Sequence, residues 1–263
     1  MKNLDNEART HTKLQWNTNP CGSLEGSNQD LQYFLDVEKE RYRQQYWQLN
    51  YFDFSKFKGK KVLEIGIGHG TDLMQFAKAG AECYGIDITE KHIQLTRRNF
   101  ELRGYPVNVK ECGATAIDAP DNYFDCVYSF GVFHHIPEIK ECIAEVNRVL
   151  KPGSTFYMSL YYKYSLRHLM LVFYGLATRK IFKLGYKNLL SLIESGADGI
   201  NIKPFVKLYS KTEVKCLLKS FELEKVEIRQ GNFEDFKFLN TFKIIQKYIG
   251  WYVISTAKRN NKC

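Results

Sequence analysis

Much of what would assign this 263-residue chain to a class at once is missing from it. Its first residues, Met1-Lys2-Asn3-Leu4-Asp5-Asn6-Glu7, are polar and lack the apolar core of a secretory signal. No stretch approaches the roughly 20 apolar residues that cross a bilayer. The seven cysteines, at positions 21, 83, 112, 126, 142, 216 and 263, are odd in number and never spaced C-x-x-C. Such spacing fits free thiols in a reducing cytoplasm and gives no ground for zinc, so no metal site is expected. No internal repeat or low-complexity run is evident. Acid is missing from one long segment: between Val146 and Ile193 there is no Asp or Glu.

Within that acid-free segment stand eight basic residues, Arg148, Lys151, Lys163, Arg167, Arg179, Lys180, Lys183 and Lys187. They flank a nine-residue apolar block, Leu169–Ala177. A core helix under a solvated basic rim is the simpler reading. Peripheral contact with an anionic membrane surface through residues 165–187 is the alternative, and nucleic acid or an acidic substrate would also answer a net charge of +9.

The chain is long enough to bury a large core, and a hydrophobic content of 44% is ordinary for a globular protein. Apolar runs read as strands at about 61–66, 82–87, 107–111, 124–129 and 155–160. Helices fall near 71–79, 90–103 and 138–149, with Gly80 and Gly104 closing the first two and Pro152-Gly153 stopping the third. That alternation predicts a parallel sheet with helices on both faces. Residues 31–49 carry apolar positions at helical spacing, whereas 1–30 are polar and Asn-rich with little periodicity. Ser210-Lys211-Thr212-Glu213 is a capping box opening a short helix. Two β-rich segments follow, Leu223–Arg229 and Trp251–Thr256.

Residues 62–72, Val-Leu-Glu-Ile-Gly-Ile-Gly-His-Gly-Thr-Asp, carry the most information. An apolar run ends in Gly66, Gly68 and Gly70, and a helix then begins at Thr71. A buried strand hands over in this way to a helix whose first amides face a ligand. A second strand stops at Asp87, whose carboxylate can accept both hydroxyls of a ribose. A dinucleotide fingerprint, G-x-G-x-x-G, would need glycine at position 71, where Thr71 stands.

The spacing Glu64-x-Gly66-x-Gly68-x-Gly70 resembles motif I of the class I S-adenosylmethionine (SAM)-dependent methyltransferases. In order after it, Asp87 matches the ribose-binding acid and Phe124-Asp125-Cys126-Val127-Tyr128-Ser129 the fourth strand. Val132-Phe133-His134-His135-Ile136-Pro137 then matches the post-strand loop and Arg148-Val149-Leu150-Lys151-Pro152-Gly153 the turn before strand five. Asn19-Pro20-Cys21-Gly22 and Leu208-Tyr209-Ser210 are similar to a bacterial small-molecule subgroup. The resemblance implies an α/β, Rossmann-like seven-stranded sheet, mostly parallel with the last strand antiparallel, bearing an N-terminal helical lid and an insertion after strand five. Residues 1–55 would be the arm or lid, 56–160 the SAM-binding core, 161–209 the insertion, and 210–263 the last helix and strands.

The same resemblance implies SAM as cofactor, held by Glu64, Gly66, Gly68, Gly70, Asp87, Ile88 and Ser129. The usual acidic adenine segment reads Gly113-Ala114-Thr115 here, which leaves backbone groups of Ala114 and Thr115 for adenine and Asp118 as a substitute acid. His134 and His135 are candidate general bases. Tyr161, Tyr162, Tyr164 and His168 are lesser candidates. Trp16, Tyr33 and Tyr42 are aromatics able to close over a sulfonium. The implied activity is methyl transfer to oxygen, nitrogen or carbon of a small-molecule or lipid-linked acceptor. An RNA or protein acceptor is the alternative, weakened by Ser129-Phe130-Gly131-Val132 where an Asn/Asp-Pro-Pro-aromatic motif would stand. A non-catalytic SAM-fold binding module is another.

Overall fold

A computed structural model describes residues 2–24, 28–195, 204–231 and 243–261. Among these, seven strands form one sheet: β1 (Lys61–Ile65), β2 (Glu82–Asp87), β3 (Asn108–Glu111), β4 (Phe124–Phe130), β5 (Leu150–Tyr161), β6 (Phe221–Arg229) and β7 (Tyr252–Arg259). Their spatial order is β3-β2-β1-β4-β5-β7-β6, with β7 antiparallel to both its neighbours and the pairs from β3 to β5 parallel. This is the expected seven-stranded, Rossmann-like sheet.

The central strands are buried on both faces, as parallel strands covered by helices must be. Val62, Cys126 and Tyr128 point into one apolar cluster, Leu63, Ile65 and Val127 into the other. The first cluster is covered by α4 (Thr71–Lys78), through Leu73, Met74 and Phe76, and by α5 (Glu90–Arg103), through Ile93 and Phe100. The second is covered by α6 (Ile139–Val149), whose Ile139, Cys142, Ile143, Val146 and Val149 repeat at helical spacing on one face. Adding α9 (Lys211–Leu217), opened by the Ser210–Glu213 capping box, extends that face.

Three expectations change. Residues 1–30 showed little periodicity, yet α1 (Lys2–Thr18) is a 17-residue helix. Among its described side chains the buried ones are the polar Thr12 and Gln15. Pro152-Gly153 does not stop α6: that helix ends at Val149, and β5 begins at Leu150. The Pro-Gly pair lies within β5, where pairing with β4 jumps from Phe124↔Leu150 to Cys126↔Thr155. Proline, which cannot donate to a ladder, is tolerated at such a bulge.

The third change concerns the insertion. It contains α7 (Leu166–Ala177) and α8 (Lys180–Ser195), the latter kinked at Gly185. The apolar block is not a core helix, because Gly175 is the buried residue of α7 while Leu169, Phe173 and, on α8, Phe182 are 64%, 73% and 77% exposed. No helix among the described residues is long and apolar enough to cross a membrane.

Candidate active site

A cavity of about 340 Å³ lies at the carboxyl ends of the parallel strands, where an open α/β sheet receives its ligand. One end of it is the loop after β1. Gly66 has φ +77°, and a Cβ there would stand 2.2 Å from Val132 Cγ2. Gly68 has φ +54° with open space where its Cβ would be, so bare backbone faces the cavity.

Asp87 at the end of β2 is divided in its bonding. Its Oδ1 accepts from the Thr89 amide (3.0 Å) and hydroxyl (2.9 Å) and lies 3.2 Å from His92 Nδ1. Its Oδ2 accepts a long contact, 3.5 Å, from the Gly68 amide. One oxygen is therefore anchored while the other is available to a ligand.

Beneath the loop lies a charge network. Asp72, in the first turn of α4, accepts from Arg41 (2.6 Å) on α2 (Leu31–Gln44), and from Tyr42 (3.0 Å), Gln48 (2.7 Å) and Tyr128 (2.9 Å). Burial works to raise its carboxyl, but the Arg41 charge and the hydrogen bonds outweigh burial and leave it below the ordinary value. Glu64 has the opposite fate. Burial, then the charge of Asp72, push its carboxyl well above the usual carboxylate range, and Arg41 only partly opposes them. Its Oε2 is buried with no hydrogen-bond partner among the described residues. His69, which shares a 2.9 Å hydrogen bond with Tyr33, is pushed down to about 4, chiefly by burial and then by His92.

The other end of the cavity is assembled from distant segments. His135, in the short 3-10 turn after β4, donates from Nδ1 to the Phe205 carbonyl (2.8 Å). Its Nε2 lies 4.0 Å from Glu194 Oε1 on α8. Tyr161, the last residue of β5, donates to that oxygen at 2.6 Å. Trp16 of α1 meets the His135 ring edge-on at 5.4 Å. Phe130, Ile136 and Tyr252 complete the wall.

The structure brings Glu64, Gly66, Gly68, Asp87, Ile88, Ala114, Thr115 and His135 together on this cavity. Three expected site residues lie off its lining. Gly70 is the left-handed N-cap of α4, packed against Thr96 and Phe100. Ser129 is buried and bonds the Ile65 carbonyl at 3.1 Å, tying β4 to β1. His134 is fully buried, its ring 3.7 Å from that of Tyr161. Burial, then His135, push its imidazole well below the ordinary value. Asp118 is paired with Lys110 (2.8 Å) and largely exposed, so it does not replace the missing adenine acid. Of the aromatics, Trp16 and Tyr161 line the cavity, while Tyr33 and Tyr42 support His69 and Asp72 from behind. His168 is engaged with Tyr186 at 2.9 Å, on the outer helices.

Sequence reasoning missed Arg41, Asp72 and Glu194. Glu194 had one signal, since it is the residue that ends the acid-free run. Arg41 and Asp72 had none, because an Arg on a helix and an Asp in a first helical turn are ordinary surface placements.

A seven-stranded sheet of this order, with a glycine loop after β1 and an acid ending β2, defines a Rossmann-like domain for a nucleoside-bearing cofactor. The residues fit SAM in particular: the unpartnered Glu64 oxygen is left to hydrogen-bond a ligand, the open side of Gly68 leaves room, and Asp87 keeps one oxygen available. Residues 63–158 match the family described as a methyltransferase domain. That segment, which holds the glycine loop and Asp87, is similar to the class I SAM-dependent methyltransferases. The chain is 30% identical over 102 residues to a ubiquinone biosynthesis O-methyltransferase of Methylococcus capsulatus, covering 38% of this chain and 43% of that protein. It is 32% identical over 101 residues to a sterol 24-C-methyltransferase of Yarrowia lipolytica, covering 37% and 26%. The chain spans about two-fifths of the length of the first of these curated relatives. A crystal structure from Pyrococcus horikoshii shares the fold, with a TM-score of 0.60 at 19% identity, covering 94% of this chain and 99% of that one.

Proposed function

We propose that the chain transfers a methyl group from SAM to a small-molecule or lipid-linked acceptor, through oxygen, nitrogen or carbon. The observation that carries this reading is a single cavity joining the glycine loop and Asp87 to the aromatic, titratable end at Trp16, His135, Tyr161 and Glu194. SAM, when bound, supplies a methyl group on a sulfonium that is already an activated leaving group. The residues then need only to hold the acceptor in line, exclude water and, for a hydroxyl or amine, take a proton. Gly66 and Gly68 admit the cofactor against bare backbone, Glu64 offers it a hydrogen bond, Asp87 Oδ2 faces its ribose, and Ala114 and Thr115 its base. His135 is the nearest group for the acceptor's proton, because its Nδ1–H is committed to Phe205 and its Nε2 lone pair is left available. Tyr161 and Glu194 fix the ring's surroundings, and His134 packs behind it.

Relatives whose names give ubiquinone biosynthesis and a sterol as their field support a compact apolar acceptor over RNA or protein. A binding module without chemistry would have no use for His135 at the cavity wall. The test is transfer of labelled methyl from SAM into a host extract separated into lipid, small-molecule, RNA and protein fractions. Label in the first two fractions is expected, and label confined to RNA or protein would refute the reading.

A peripheral membrane role is favoured by one further observation. Leu169, Phe173 and Phe182 stand exposed beside Arg167, Arg179, Lys180, Lys183 and Lys187, with no acid in the segment, which suits an anionic lipid surface. The chain should float with vesicles containing anionic lipid and sink when Phe173 and Phe182 are both replaced by Asp. Failure of the unaltered chain to float removes this role.

A further inference from the structure

At the acceptor end, His134, His135 and Glu194 each offer a ligand atom, and these atoms lie within 4.8 Å of one another. His134 is fully buried, and neither of its ring nitrogens has a hydrogen-bond partner among the described residues. Leaving a buried imidazole without any partner is unfavourable, because neither its N–H nor its lone pair recovers the hydrogen bond it had in water. Such an arrangement points to something that accepts a nitrogen lone pair.

His135 shows a second mark of a metal ligand. Its Nδ1–H is fixed on the Phe205 carbonyl at 2.8 Å, which orients the ring and leaves Nε2 as the lone-pair donor. Nε2 lies 4.0 Å from Glu194 Oε1, too far for a hydrogen bond. A tetrahedral ion with bonds of about 2.1 Å holds its ligand atoms about 3.4 Å apart, so this gap lies within a small closure of that spacing. The Tyr161 hydroxyl donates to the same carboxylate at 2.6 Å, as an outer partner of a ligating acid does. Closing all three atoms on one ion draws them together by about 1 Å.

We propose that His134, His135 and Glu194 form a binding site for one divalent transition-metal ion, Zn²⁺ being the type best suited to two imidazoles and a carboxylate. The cavity supplies the open fourth position, since His135 and Glu194 line it. The consequence for chemistry rests on the methyl-transfer reading. An acceptor hydroxyl bound to the ion loses its proton more readily. Its proton would leave to solvent rather than to Nε2, and its oxygen would form the new C–O bond as the S–CH3 bond of SAM breaks, the sulfur keeping the electron pair and S-adenosylhomocysteine leaving, with no change of oxidation state. Such a site owes nothing to cysteine spacing, the feature on which no metal was expected.

The test uses the full chain without an affinity tag, stripped with chelator and titrated with Zn²⁺ by calorimetry and with Co²⁺ by its visible absorption. One ion per chain is expected. Affinity should fall more than tenfold in His134→Ala and in Glu194→Gln and stay unchanged in His168→Gln, which lies outside the site. Thermal unfolding without metal establishes that each variant is folded. No saturable binding to the folded, unaltered chain would overturn the proposal and leave a buried water as the bridge among the three groups. Equal affinity in His134→Ala would also overturn it. Because the readout is metal binding, it stands apart from the methyl-transfer assay: a chain that binds SAM and no metal refutes only this site.

Discussion

At one end of the cavity, Glu64, Gly66, Gly68 and Asp87 come from β1, the loop that follows it and the strand beside it. At the other end, Trp16, His135, Tyr161 and Glu194 come from α1, the turn after β4, the end of β5 and the insertion helix α8. The first end is made by local backbone geometry, fixed as soon as β1 pairs with β2. The second exists only when four segments have docked. A fold that keeps one cofactor while varying its acceptor has reason to be built this way, with the changeable end on loops and insertions.

The glycine-loop end rests on the Arg41–Asp72 network, so breaking it should blur the comparison most. Asp72→Asn leaves the partly buried Arg41 without its counter-charge and is expected to lower stability by about 2–3 kcal/mol in denaturant unfolding. An effect below about 1 kcal/mol would mean that the network is incidental.

The cofactor end also predicts a pH dependence. His69 is pushed down to about 4, so between its ordinary value and that point the unfolded chain binds a proton that the folded chain does not. The stability that His69 contributes should be full above roughly pH 6.5 and fall as pH drops toward about 4, by about 3 kcal/mol at most, while the raised Glu64 carboxyl acts in the opposite direction. The depressed Asp72 carboxyl acts in the same direction as His69 at lower pH. His69→Gln should flatten the upper part of this slope, and an unchanged slope would assign it to other groups.

The ends separate in function. His135→Ala should reduce methyl transfer by about 100-fold or more while leaving SAM affinity within about twofold. Asp87→Ala should do the reverse, weakening SAM by about 10- to 100-fold through loss of charge-assisted hydrogen bonds. Parallel loss of both properties in either variant would collapse the two ends into one.

The contrast also explains what the sequence made legible. Strands, helices and sheet class followed from apolar runs and glycine stops, and the Glu64–Asp87 unit lies in continuous sequence. Pro152-Gly153 misled because a proline that usually ends a helix here sits at a strand bulge. Helix α1 was foreseen only through the helical lid that the resemblance implied, its buried Thr12 and Gln15 being polar, and Leu169–Ala177 misled because an exposed apolar face reads as a buried one. Gly70 and Ser129 belong to the motif's spacing but not to the cavity's wall. Glu194 depends on how α8 folds back over β5, and that contact leaves no periodic trace.

The most direct test of the two-ended cavity is calorimetric titration of SAM into pure chain, freed of copurified ligand, beside Asp87→Ala and Glu194→Gln. One site is predicted, weakened in Asp87→Ala and unaltered in Glu194→Gln. Absence of binding to the unaltered chain, or equal weakening in both variants, would contradict the account.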